Sequence, residues 1–233
     1  MDEATKTLSL LSERELSALQ GKGLDIGAGR DPVRPDVRRF DVEHGDANCV
    51  TQVIRELESF DYVFSSHCLE HMRDPIAALE DWWKLVKPGG ALFVIVPDED
   101  LYEQGYWPSI FNSDHKSTFT ISKQTSWSPV SRNLLDLMDN LPNVERVSVR
   151  LQDDGYRRKY LTAAVWPRGM AAYAGKVRSR VRRLVPPALG LLETIYSALR
   201  LPIDQTQGTA VAQTLAVAFK SSRGSTFVPE PLH

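Results

Sequence analysis

The chain is poor in cysteine, with only Cys49 and Cys68 among 233 residues. They stand 19 positions apart and neither has a paired cysteine beside it. That excludes a disulfide-rich secreted scaffold and a cysteine metal knuckle. A long apolar run is also missing. Residues 184–201 come nearest, but they contain Pro186, Pro187, Glu193 and Arg200, which do not suit a membrane span. The first 20 residues alternate charge with leucine and read as neither a signal peptide nor a span. The formal net charge is −2, so no global basic field draws nucleic acid. What is present, 42% apolar and 25% charged residues, is the composition of a soluble globular protein. The length suits a single domain over residues 1–233, and the expected compartment is the cytoplasm with both thiols reduced.

The near-neutral total conceals an asymmetry. Between Tyr156 and Arg200 there are ten Lys or Arg and one acid, Glu193, a local charge of +9; the remainder therefore carries −11. Residues 156–203 form a basic insertion in an acidic body. Val177, Val181, Leu184, Leu191, Leu192, Ile195 and Leu199 lie between the arginines, which predicts two amphipathic helices broken at Pro186-Pro187. Such a block suits a lid over a substrate, a contact between subunits or a peripheral contact with an anionic membrane, against the plainer reading of a solvated insertion.

Leu8, Leu11, Leu16 and Leu19 predict one amphipathic helix over residues 3–19. Strands are expected at 24–26, 37–42, 62–64, 91–96, 144–151 and 211–219, and helices at 50–57, 76–86 and 134–141. Asp74-Pro75 supplies a cap and a first-turn proline for the second of these helices, and the run from Lys87 to Gly90 stops it. Strands alternating with helices point to an α/β domain with a parallel sheet. Residues 98–120, rich in aromatic and polar groups, read as a long functional loop.

The strongest chemical signal is Leu24-Asp25-Ile26-Gly27-Ala28-Gly29. A buried strand delivers an acid, and two glycines then let the backbone turn tightly against a ligand. A nicotinamide-binding fingerprint wants a third glycine where Pro32 stands, and an acid later than Asp41, which comes 12 positions after Gly29. A nucleoside without a pyrophosphate fits better.

Several pieces in order resemble the class I S-adenosylmethionine-dependent methyltransferases. They are the segment from Leu24 to Gly29, Phe40-Asp41-Val42, Gly45-Asp46-Ala47, the segment from Phe60 to His71, and the segment from Leu85 to Phe93. The resemblance implies a Rossmann-like, mostly parallel sheet with an antiparallel last strand and S-adenosylmethionine as cofactor. It implies that Asp25, Gly27, Ala28 and Gly29 hold the methionine end, that Asp41 binds the ribose hydroxyls, that Asp46 and Ala47 flank the adenine, and that Ser65, Ser66 and His67 line the pocket beneath the sulfonium. Asp41 and Asp46 stand only five positions apart, so the family's intervening helix and third strand have no room. A sheet trimmed at that edge is expected.

The acceptor is expected after the family's fifth strand, where open α/β sheets place substrate. Tyr102, Tyr106, Trp107, Asn112 and Lys116 are the candidate substrate contacts. His115 is the candidate base, with Asp114 as an alternative base or as the group that orients His115. His67, Glu70 and His71 invite a metal reading, but the sequence nominates no further ligand, so none is expected. A likeness to small methyltransferases of sugar and polysaccharide biosynthesis makes a hydroxyl of a sugar or glycan the first choice of acceptor. The rival is a non-catalytic cofactor-binding module.

Overall fold

The computed structural model describes residues 3–161 and 164–222. Two short helices open the chain, α1 (Glu3–Leu8) and α2 (Glu13–Ser17). The single helix expected over 3–19 is broken because Ser12 caps α2. Its hydroxyl accepts from the Glu15 backbone N–H, while the Glu15 carboxylate accepts from the Ser12 N–H at 2.7 Å. This reciprocal box starts a new helix rather than continuing an old one.

Strands β1 (Gly23–Ile26), β2 (Arg38–Phe40) and β3 (Phe60–Ser66) follow. Helix α3 (Pro75–Trp83) leads into β4 (Val86–Pro97). Asp74 caps α3 by accepting from the Ile76 and Ala77 N–H groups. The Lys87-to-Gly90 stretch, expected only to stop the helix, forms a bulge inside β4: Phe60 pairs with Val86, but Tyr62 with Ala91. Helix was also expected at 50–57. A tighter helical turn, Ala47–Gln52, stands there instead, capped by Asp46.

Beyond β4, the anticipated loop contains a helical turn, Glu99–Glu103, and a short parallel pair, β5 (Thr118–Thr120) with β6 (Ser131–Asn133). The buried Glu99 carboxylate ties this pair down by accepting from Thr118, Lys123, Ser126 and Ser131. Helix α4 (Leu134–Asp139), β7 (Val144–Gln152), α5 (Arg168–Leu184), α6 (Leu189–Ala198) and β8 (Gln213–Lys220) complete the chain.

The main sheet runs β2-β1-β3-β4-β8-β7. Its first four strands are parallel, and β8 is antiparallel to both neighbours. The sheet is a Rossmann-like α/β sheet with β2 at its trimmed edge. Side chains alternate across it. Leu92, Val94 and Val96 of β4 join Trp82, Trp83 and Met138 on one face. Ala91, Phe93 and Ile95 join Leu11 and Leu19 on the other. Helices α5 and α6 leave the sheet after β7 and build a separate small core around Ala174, Tyr196 and Ile203.

Arg178 departs from the basic face read in the sequence. It is buried, and its guanidinium bonds Glu193 of α6, the Asp204 carbonyl and Gln207. It clamps the two helices instead of facing solvent, whereas Arg180 and Arg183 are exposed.

Candidate active site

The carboxyl ends of β1, β3 and β4 gather the residues singled out in the sequence. Pairing of Ile26 with both Phe40 and Ser65 brings three strand ends side by side. The 27–29 turn leaves β1 with Gly27 at φ +78° and Gly29 at φ +51°. A Cβ on Gly27 would meet the Cys68 Cβ at 2.7 Å, whereas beside Gly29 there is open space. The turn is held to β2: the Gly27 N–H donates to the Phe40 carbonyl at 2.8 Å, and the Gly29 N–H donates to the Asp41 carboxylate at 2.6 Å. Asp41 also accepts from the Val42 N–H at 2.7 Å.

Asp25 lies beneath this turn, 2% exposed, accepting from the Val33 N–H. Burial pushes its carboxyl up to about 7 against the opposing pull of that bond and of Arg39. Asp46 accepts from the Asn48 N–H and side chain and pairs with Arg73 at 2.6 Å. The Asn48 bonds, with Arg73 behind them, hold its carboxyl below the usual range. The Ala47 carbonyl receives the Trp82 indole N–H at 2.8 Å, which anchors this edge to α3. Ser65 and Ser66 carry buried hydroxyls with no hydrogen-bond partner among the described residues. Open space beside Gly29, carboxyl groups and unsatisfied hydroxyls around one turn fit a nucleoside bearing a cationic amino-acid tail.

One step along the chain is a cavity of about 200 Å³. His67, Glu70, Tyr102, Asn112, His115 and Thr206 contribute to its wall. Glu70 and His71 belong to a helical turn after β3, Leu69–His71. His115 arrives on the loop after β4, which is fastened when the Lys116 N–H donates to the Glu70 carbonyl at 2.8 Å. The His115 side chain is almost fully buried, and its Nδ1 meets the Glu103 carboxylate at 2.6 Å. Asp114 therefore does not orient His115. It lies at the surface, and its carboxylate meets Nδ1 of His71 at 2.9 Å. Lys116, with some help from His71, keeps Asp114 below the usual carboxylate range.

Glu70 is 1% exposed. Burial opposes its charge, but the imidazoles of His67, His115 and His71 outweigh that and hold its carboxyl below the usual range. His67 Nε2 meets the Gln213 side-chain oxygen at 2.9 Å.

Of the five substrate contacts expected, Tyr102 and Asn112 line this cavity. Tyr106 is buried, with its hydroxyl taking the Trp166 N–H at 3.3 Å. The Lys116 ammonium is spent on the His71 carbonyl. Trp107 is not among the cavity's lining residues. Glu103 and Gln213 were missed as site residues. Gln213 carried one signal, a polar residue opening an apolar strand.

A family model described as a methyltransferase domain matches residues 6–127, more than half of the chain. No curated protein matches significantly. A methyltransferase dependent on S-adenosylmethionine from Archaeoglobus fulgidus is 15% identical, with 93% of this chain and 94% of that one covered and a TM-score of 0.50. A provisionally assigned methyltransferase from Bacillus halodurans C-125 is 14% identical, with coverage of 92% and 98% and a TM-score of 0.50. The Haemonchus contortus phosphoethanolamine N-methyltransferase 2, solved with S-adenosyl-L-methionine, is 14% identical, with coverage of 88% and 50% and a TM-score of 0.43. The chain belongs to the class I S-adenosylmethionine-dependent methyltransferases, and S-adenosylmethionine is its cofactor.

Proposed function

We propose that the chain transfers the methyl group of S-adenosylmethionine to a hydroxyl oxygen of a small polar acceptor, with a sugar or glycan unit as the first choice. The observation carrying this reading is the polar cavity lined by Glu70, His115 and His67, the last of them next in the chain to Cys68, which packs against Gly27. Its imidazoles, its carboxylate and the Asn112 amide suit a ligand with several hydroxyls, and a purely apolar ligand would leave them unpaired. Tyr102 offers an aromatic surface on the same wall. Asp25, Gly27, Ala28 and Gly29 hold the methionine end of the cofactor, Asp41 its ribose, and Asp46 and Ala47 its adenine. Ser65, Ser66 and His67 lie beneath the sulfonium.

In the transfer, the acceptor oxygen attacks the methyl carbon along the line of the carbon–sulfur bond. That bond breaks, S-adenosylhomocysteine leaves, and the hydroxyl proton must be removed. His115, held by Glu103, is the residue that acts on this proton. The test is turnover of S-adenosylmethionine against a panel of sugars and glycosides, for the wild type and for His115→Ala. Turnover on a hydroxyl that falls on the order of 10²-fold or more in the variant supports the reading. Cofactor binding without turnover across the panel would favour a non-catalytic module, and methylation at nitrogen would overturn the choice of oxygen.

A second reading concerns the insertion. Leu184, Leu191 and Leu199 are exposed on a segment that also exposes Arg180 and Arg183. Apolar groups beside cations complement an anionic lipid surface. Each basic residue near such a surface adds roughly 1 kcal/mol. Co-sedimentation with acidic liposomes that salt weakens, and that Arg180→Gln with Arg183→Gln abolishes, supports the contact; no binding at low salt would remove it. Among the described residues no helix is long and apolar enough to cross a membrane.

A further inference from the structure

Four groups converge on the inner wall of the acceptor cavity in an arrangement that the transfer reaction alone does not require. One ligand atom from each of Glu70, His71 and His115 lies within 4.8 Å of the others. The Glu70 Oε1 stands 3.8 Å from Nε2 of His71 and 3.6 Å from Nδ1 of His67. Neither Glu70 oxygen has a hydrogen-bond partner among the described residues. A buried carboxylate without hydrogen bonds is costly unless another charge answers it.

The outer contacts fix which ring atoms face inward. His71 puts Nδ1 on the Asp114 carboxylate and His115 puts Nδ1 on the Glu103 carboxylate. In a neutral imidazole, the nitrogen that meets a carboxylate carries the proton, which leaves Nε2 of each ring with its lone pair. His67 repeats the logic with Nε2 on the Gln213 oxygen and Nδ1 turned to Glu70. Lone pairs and a carboxylate that face one another repel. A proton held on the rings answers that repulsion in the empty site, and a metal cation placed among them answers it with the rings neutral. An imidazole whose far nitrogen is held by a carboxylate is the recurrent outer shell of a metal-ligating histidine, and here two histidines have it.

We infer that Glu70, His71 and His115 form a binding site for one divalent transition-metal cation, which also takes the hydroxyl oxygen of the acceptor. Two imidazoles and one carboxylate favour zinc, manganese, iron or cobalt over magnesium or calcium, which prefer oxygen ligands throughout. Side-chain shifts of about 1 Å bring three such atoms to roughly 2.0–2.2 Å from a common centre. Three protein ligands leave at least one position open toward the cavity. The role toward the acceptor rests on the methyl-transfer reading above; the binding site does not. On coordination the acceptor hydroxyl releases its proton to solvent, and His115 then acts on that proton through the cation it holds, in place of accepting it as a base. The alkoxide then forms its bond to the methyl carbon as the carbon–sulfur bond breaks, leaving uncharged S-adenosylhomocysteine. A chelating acceptor, with neighbouring hydroxyls or a hydroxyl beside a carboxylate, is the class that gains most. The fold thus supplies the third ligand that the sequence failed to nominate, and it is the residue read there as the base.

The test uses the full chain stripped with a chelator and titrated with Co²⁺ and with Zn²⁺. The visible ligand-field bands of cobalt report its coordination, and calorimetry gives stoichiometry and affinity. One equivalent is expected, with cobalt bands of a nitrogen- and oxygen-ligated site. His71→Ala and Glu70→Gln should each weaken binding at least tenfold, and Asp114→Asn by about 10–100-fold. His71 is partly exposed, so its variant should fold, and retained binding of S-adenosylhomocysteine verifies that. Cobalt that keeps its solvated spectrum at stoichiometric protein, or equal affinity in the wild type and His71→Ala, overturns the site. Tight one-to-one binding alongside full turnover in excess chelator upholds the site and overturns its role. Cobalt binding abolished by these variants, with no methylated product from any acceptor, upholds the site and removes only the methyl-transfer reading.

Discussion

Gly27→Ala should be among the most damaging single changes near the cofactor. Gly27 sits at φ +78°, a conformation that costs a side-chain-bearing residue about 1–2 kcal/mol. The added Cβ would also stand 2.7 Å from the Cys68 Cβ and 2.9 Å from its Sγ. Overpacking of that kind costs about 1–3 kcal/mol. The two contributions are separate in origin, so the total should fall near 2–5 kcal/mol, read as a lower urea midpoint at unchanged m. S-adenosylhomocysteine affinity should fall as well, because the turn must shift away from Cys68. The second part can be isolated. In a Gly27→Ala background, Cys68→Gly removes both clashing atoms and should restore the packing part while leaving the backbone part. Cys68→Ala keeps the Cβ and should restore little. A cycle of these variants should show a coupling of at least about 1 kcal/mol. A Gly27→Ala protein as stable as the wild type, or complete rescue by Cys68→Ala, would refute the reasoning.

Asp41→Ala removes an acceptor that holds the Gly29 and Val42 N–H groups, each bond to a charged group being worth about 1.5–3 kcal/mol. Cofactor affinity should drop by one to two decades in calorimetry, on the order of the loss of one such bond. The Asp25 carboxyl, pushed up to about 7 by burial, is partly protonated near neutrality. A cofactor ammonium beside it favours the ionised form. Binding should therefore release protons at pH 6, detected by calorimetry in buffers of different ionisation enthalpy, and affinity should rise with pH up to about 7 and then level. For folding the sign is opposite: the raised acid contributes stability that is complete below its unfolded value near 4 and is lost as pH rises through about 7. Arg178→Gln should cost about 1–3 kcal/mol, less than a fully buried pair because Glu193 stays 22% exposed, and should open the α5–α6 unit to limited proteolysis. Arg180→Gln should leave proteolysis unchanged.

What the sequence made legible was local. The strand and turn from Leu24 to Gly29 and the Asp74-Pro75 start of α3 are set by residues a few positions apart, and each lies where its pattern puts it. The trimmed edge followed from a simple shortage of residues between Asp41 and Asp46. The split between α1 and α2 was also written locally, in Ser12 and Glu15, but leucine spacing is a louder signal than a cap. The partners of the acceptor cavity could not be read in the same way. Asp114 is the chain neighbour of His115 yet serves His71, while Glu103, 12 positions away, serves His115. Which carboxylate meets which ring depends on how the loop after β4 folds back onto the Leu69–His71 turn. Arg178 shows the same limit. Among the arginines of one helix, burial picked one, and helical periodicity carries no mark of the Glu193 that meets it.

The place of β8 in the sheet has a consequence for how the molecule is made. It is translated after both strands that flank it, and its register sets Phe219 against Ala91 across 128 positions of chain. Until β8 arrives, β4 and β7 each present an open row of backbone donors and acceptors, with apolar side chains on both faces of β4 and on one face of β7, the kind of edge on which chains stick to one another. The nascent protein is therefore most vulnerable to aggregation late in synthesis, with most of its mass already collapsed. Closing the sheet across so long a separation should be the slow step of refolding. Polar or charged substitutions along β8, even far from any ligand, should then lower the yield of soluble protein more than they lower the stability of the molecules that do fold.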